Sequence, residues 1–117
     1  MENNKSILKE KSYNFSLRIV KLYKFLCDEK KEFVISKQIL RSGTSVGAMI
    51  REGEYAQSKL DFVNKMSVAL KEINETGYWL DLLKDSGYLS EKEYISLYSD
   101  YEEIIKMLIS TVKTSKK

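Results

Sequence analysis

Apolar residues recur along this chain at helical rather than strand spacing. Phe15, Ile19, Leu22 and Leu26 stand at i, i+4, i+7 and i+11, so they share one side of a helix, and Val20 and Tyr23 widen the stripe. The pattern predicts a first helix over 12–28. The charged run Asp28-Glu29-Lys30-Lys31-Glu32 interrupts it and forms the first connection. A second helix is predicted over 33–55, where Ile35, Ile39, Ser42, Val46, Met49 and Gly53 alternate by four and three in a heptad-like seam with a small middle. A third, over 58–85, opens on Ser58 with Asp61 three residues on, a capping pattern, and continues through Phe62, Met66, Ala69, Ile73, Thr76, Leu80 and Leu83.

Asp85-Ser86-Gly87 ends this third helix, since glycine suits the left-handed residue that follows a helix. Ser90 with Glu93 then caps a fourth helix over 90–113, carrying Tyr94, Leu97, Tyr101, Ile104 or Ile105, Leu108 and Val112, with Lys113 to Lys117 expected to fray. Short connections force neighbouring helices antiparallel. The expected fold is therefore all-α, an antiparallel up-down-up-down four-helix bundle forming one domain over 1–117.

Composition agrees with this. Proline is absent, only five glycines occur, and a hydrophobic content of 43% over 117 residues is enough for one core. The single Cys27 forms no internal disulfide and has no His to share a metal site with, so a reducing, cytoplasmic setting is expected and Cys27 is read as a small packed hydrophobe. The N-terminal stretch is polar and no apolar run approaches the length of a membrane span, so no membrane association is expected.

Charge divides the chain. Residues 1–51 hold 11 basic and 5 acidic side chains, and residues 52–117 hold 9 and 12, so a net charge of +3 is the sum of +6 and −3. Such a split suits either a basic face turned to nucleic acid or a basic surface of one subunit meeting an acidic surface of the next. On the helical wheel Arg18, Lys21 and Lys24 lie away from the Phe15 seam, and Lys37, Arg41 and Arg51 continue the bias on the second helix. Lys21, Lys24, Lys37, Arg41 and Arg51 are the candidate phosphate contacts, set against the plainer reading of a solvated face.

The stretch from Arg41 to Ala48 puts Gly43, Gly47 and several hydroxyl residues inside a predicted helix despite poor propensity. Ser42, Gly43 and Gly47 are expected to let another helix approach closely, with hydroxyls bonding back to their own helix. A phosphate-binding loop would need a lysine after the glycines and a preceding strand, and neither is present. Glu72 and Glu75 are the best-placed carboxylate pair, but bundle di-iron sites need Glu-x-x-His. One of the two is expected to neutralise a partly buried Arg41. Tyr78, Trp79, Tyr94, Tyr98 and Tyr101 are expected at a core edge or a subunit interface. With no nucleophile–base pair, metal cluster or cofactor loop, the expectation is a protein without enzymatic activity, cofactor or small-molecule substrate.

Residues Gln38 to Ala48, Ala56-Gln57-Ser58, Asp61-Phe62 and Ala69 to Leu80 closely resemble the 23S rRNA intervening-sequence four-helix bundle proteins. The resemblance runs from the first helix to the fourth. It implies a ring-shaped homopentamer and no catalysis. Related proteins include the accessory variability determinant of diversity-generating retroelements, a basic partner of a reverse transcriptase that contacts nucleic acid. Relatives commonly carry Asn where this chain has Met49, so a polar contact made there is not reproduced here. RNA, DNA or a protein partner are the candidate ligands that follow.

Overall fold

A computed structural model describes residues 2–116, with the side chains of 5 and 7–116. Four helices follow one another: α1 Glu2–Asp28, α2 Ile35–Glu54, α3 Lys59–Asp85 and α4 Glu91–Ser115. Each packs on its two ring neighbours, α1 on α2, α2 on α3, α3 on α4 and α4 on α1, while the diagonal pairs stay apart. The result is a four-helix bundle 44 Å long and 22 by 19 Å across. Cross-helix contacts fix an antiparallel register throughout: Lys9 meets Glu54 and Cys27 meets Ser36 between α1 and α2, Ser42 meets Thr76 and Gly53 meets Met66 between α2 and α3, Asp81 meets Tyr94 and Gly77 meets Tyr101 between α3 and α4, and Arg18 meets Asp100 and Lys11 meets Glu103 between α1 and α4.

The core is the predicted seam. Phe15, Ile19, Leu26, Ile39, Val46, Ile73, Leu80, Ile104 and Leu108 are all essentially without solvent exposure. Two caps behave as the sequence indicates: Ser58 Oγ accepts from the Asp61 N–H at 3.0 Å, and Ser90 and Glu93 form the full reciprocal box. The Asp61 carboxylate turns outward to the Gln57 N–H at 3.2 Å and to Lys65, so the α3 box is half made. Gly87, at φ +85°, supplies the left-handed turn after α3.

Three boundaries differ from expectation. α1 begins ten residues earlier than residue 12, because Leu8 extends the buried stripe one further turn and Ser12 is buried with its hydroxyl donated to the Lys9 carbonyl at 3.0 Å. α4 continues to Ser115, so residues 113–115 are helical rather than frayed, held by Val112 on the core; Lys117 lies outside the described residues.

α2 begins at Ile35, not 33, and the cause is the Glu32 carboxylate. It accepts from the N–H groups of Val34 at 3.1 Å, Ile35 at 2.9 Å and Ser36 at 2.7 Å, satisfying the donors that the first helical turn leaves unpaired. Burial by itself pushes this carboxyl up. The three backbone donors outweigh that and hold it below the ordinary glutamate range. Lys31, the preceding residue, takes the left-handed conformation at φ 55° to turn the chain, and the Glu32 N–H closes on the Leu26 carbonyl at 2.9 Å.

The small-residue stretch of α2 is a contact surface on two sides. A Cβ on Gly43 would stand 2.9 Å from Ile19 Cγ1, and one on Gly47 would stand 3.1 Å from Ser16 Oγ and 3.3 Å from the Ser12 carbonyl oxygen, so α1 lies against these glycines. Thr44 and Ser45 donate back to the Leu40 and Arg41 carbonyls at 2.7 Å each. Ser42 instead points to α3, its Oγ 3.0 Å from Thr76 Oγ1, which also donates to the Glu72 carbonyl at 2.8 Å. A hydroxyl has one proton, so with Thr76 serving the carbonyl, Ser42 donates to Thr76.

Candidate nucleic-acid interface

The outer sides of α1 and α2 form one continuous face. On α2, residues 37, 41, 44, 48, 51 and 55 recur at helical spacing opposite the buried Ile39, Val46 and Ile50, and Lys37, Arg41, Ala48, Arg51 and Tyr55 among them are exposed. On α1, Tyr13, Leu17, Val20 and Lys24 form the matching stripe, with Lys21 exposed beside it. The antiparallel register sets Tyr13 level with Arg51, whose guanidinium lies 5.9 Å from the Tyr13 ring centroid. Lys24 falls level with the Lys37–Arg41 end of α2.

All five cations picked from the sequence, Lys21, Lys24, Lys37, Arg41 and Arg51, are exposed, and none of the ion pairs among the described residues involves them. No acidic residue occurs from 11 to 27 or from 33 to 51, the segments that hold all five of these cations; the exposed Glu52 lies just beyond, between Arg51 and Tyr55. Other α1 cations pair with carboxylates of the neighbouring helices at the bundle surface. Lys11 pairs with Glu103 at 3.1 Å, Lys9 with Glu54 at 3.1 Å, and Arg18 with Asp100 at 2.7 Å. Arg18 also donates to the Ser96 carbonyl and hydroxyl at 3.2 and 2.8 Å. Its position at i+3 from Phe15 turns it toward α4, which the wheel alone does not reveal.

The expected buried pair between Arg41 and Glu72 or Glu75 is not formed. Residue 41 falls on the outward stripe with 37 and 48, and it is the next residue, Ser42, that rotates inward to α3. Glu75 instead accepts from Trp79 Nε1 at 3.0 Å along its own helix, and Glu72 contributes its carbonyl to Thr76. Met49 is half-buried and packs against the core.

The opposite face, on α3 and α4, carries the other aromatic group. Tyr94, Tyr98 and Tyr101 are half-buried and stack in series, with centroids 5.3 and 5.0 Å apart. The Tyr94 hydroxyl donates to Asp81 at 2.6 Å, and that carboxylate holds the phenol well above its ordinary pKa. Tyr101 lies against the backbone of Gly77, and burial pushes its hydroxyl up as well. Tyr78 edges against Trp79 but is 60% exposed, so it is not a core residue.

Cys27 is a half-buried free thiol 3.7 Å from Ser36 Oγ. No group of three or more His, Cys, Asp or Glu side chains gathers among the described residues, and none of the described helices is long and apolar enough to cross a membrane. A cavity of about 540 Å³ opens at the end of the bundle where Leu8, Ile50, Phe62 and Met66 meet. Lys5, Lys9 and Lys59 stand at its rim, and its one carboxylate, Glu54, is bridged to Lys9.

Comparison with known proteins bears on this arrangement. A family model described as 23S rRNA-intervening sequence protein matches residues 4–110. A solved structure at 1.70 Å resolution, of a protein with unknown function from the S23 ribosomal protein family of Bacteroides thetaiotaomicron, is 57% identical. It superposes with a TM-score of 0.92 over 94% of this chain and 98% of the other. No curated protein matches.

Proposed function

The chain belongs to the 23S rRNA-intervening sequence protein family, and from that premise we propose that it works without catalysis, as a homo-oligomeric bundle, a pentamer, that associates with RNA or other nucleic acid through its α1–α2 face. One observation carries the reading. Five exposed cations lie in segments 11–27 and 33–51, which contain no carboxylate, while Lys11 and Arg18 are paired with carboxylates of α4. Unpaired surface cations at helical spacing suit phosphates, whose contacts need charge rather than a motif. Phosphate contacts carry no sequence information, so the binding is expected to follow the backbone and not the base sequence.

Phosphate contact carries a salt signature. With about five contacts, log affinity for single strands falls against log salt with a slope of about −3.5, so affinity drops roughly a hundredfold between about 50 and about 200 mM salt. An anisotropy titration with RNA and with DNA at those two concentrations reads this directly. Binding that is insensitive to salt, or absent at the lower concentration, removes the nucleic-acid role.

A second reading is favoured by the opposite face. There Tyr78 and Ile95 are 60% and 57% exposed and Asp81 and Asp85 are exposed as well, a surface that suits a protein contact with a basic partner. In that reading the bundle is an assembly or protein-partner module without nucleic acid. Sedimentation of a chain that neither self-associates at micromolar concentration nor changes with a partner counts against it.

A further inference from the structure

The α1–α2 face carries aromatic rings as well as charge, and this bears on which form of nucleic acid fits it. Tyr13 is 53% and Tyr55 78% exposed. Both stand on the same outward stripes as the cations, Tyr13 beside Arg51 and Tyr55 four residues beyond Arg51 at the C-cap of α2. Neither hydroxyl has a hydrogen-bond partner among the described residues, and the contact recorded at the Tyr13 ring is with a cation, the Arg51 guanidinium. Leu17, four residues from Tyr13 and 47% exposed, adds an apolar step between the charges.

Resting on the nucleic-acid reading above, we infer that this face takes single strands in preference to duplexes, with Tyr13 and Tyr55 stacking on unpaired bases while Lys24, Arg41 and Arg51 follow the phosphates. A duplex keeps its base faces stacked on one another and offers only phosphates and groove edges to a convex surface, so exposed phenol rings gain nothing from it. An unpaired base presents a free π-face, and stacking on an aromatic side chain tolerates any base. The Arg51 guanidinium near the Tyr13 ring sets a charge beside the stacking position, where it serves the same nucleotide's phosphate.

The other tyrosine cluster shows why the choice falls here. Tyr94, Tyr98 and Tyr101 already pack ring against ring, and Asp81 accepts a hydrogen bond from the Tyr94 hydroxyl, so that face spends its rings internally and turns a carboxylate toward any phosphate.

The test compares a labelled oligouridylate of about twenty nucleotides with an RNA duplex of the same length by anisotropy at low salt. The single strand is expected to bind at least about tenfold more tightly. Tyr13→Ala weakens single-strand binding by about 5- to 150-fold, the loss of one stacked base, while duplex affinity and the salt slope stay as they are. Tyr13→Phe retains the preference. Equal affinity for the two forms, or a Tyr13→Ala loss shared equally by both, overturns the inference and leaves the nucleic-acid reading standing. Binding to neither overturns both. Thermal melting checks that Tyr13→Ala folds, and Tyr55→Ala, at an exposed C-cap, provides the same comparison if it does not.

Discussion

Gly43→Val is expected to cost the bundle about 3 kcal/mol, read as a lower urea midpoint with an unchanged slope. A Cβ at this position stands 2.9 and 3.0 Å from the two γ carbons of Ile19, a side chain with no solvent exposure, and valine adds two methyl groups beyond that. Ile19 cannot swing into solvent, so α1 must move away from α2 along a seam that also includes Gly47 and Ser12. The gain in helix propensity over glycine, a few tenths of a kcal/mol, does not offset this. Shortening the neighbour should relieve the clash: in the double variant with Ile19→Ala the two losses are expected to fall short of their sum by about 1 kcal/mol or more. Full additivity would mean that the two residues do not set the helix spacing.

Glu32→Gln is expected to cost about 2 kcal/mol at neutral pH, because three backbone N–H groups at 2.7 to 3.1 Å lose an ionised acceptor and one of them loses its partner. The pH dependence has a definite sign. The folded protein holds the Glu32 carboxyl below its ordinary value. Its contribution is therefore fully present above the unfolded glutamate pKa, about 4.3, and is lost as pH falls through the lower folded value. The stability gap between the wild-type chain and Glu32→Gln should be widest near neutrality and close in acid. A gap that stays constant down to that region would show that packing, not the ionised cap, is what the substitution removes.

Glu32 also shows where the sequence stops being legible. Apolar periodicity locates the core of all four helices, and Ser58, Ser90 and Gly87 mark their ends because each acts on neighbours within four residues. Glu32 acts just as locally, yet it sits in a run of charges that looks like a solvated connection, and only the left-handed turn at Lys31 aims its carboxylate at the start of α2. The early start of α1 was hidden for a similar reason: Ile7-Leu8 is a short apolar pair in a polar and charged stretch until Ile50 and Met66 are known to lie near Leu8.

At the candidate site the cations were legible, since helical spacing alone puts Lys37, Arg41 and Arg51 on one side of α2 and Lys24 outward on α1. The direction of Arg41 relative to Glu72 and Glu75 was not, because a rotation of one residue decides between the outer face and α3. Tyr13 and Tyr55 were missed as site residues. An exposed ring cannot be told from a core ring until its neighbours are placed, although Tyr13 shares the i, i+4, i+11 spacing of Leu17 and Lys24. Arg18 shows the reverse case, a cation of the basic segment that the fold commits to Asp100.

Whether binding belongs to the α1–α2 face or to overall charge is decided by comparing two variants of equal net charge. In one, Lys24, Lys37, Arg41 and Arg51 are all changed to Gln; in the other, the exposed Lys71, Lys92, Lys106 and Lys113 of α3 and α4 are. The salt dependence of single-strand RNA affinity is measured for both. The face variant is expected to lose binding and to flatten the log–log slope by about 3, at about 0.7 per phosphate contact, with the control variant close to the wild-type chain. Equal losses in the two variants would contradict the assignment of binding to this face.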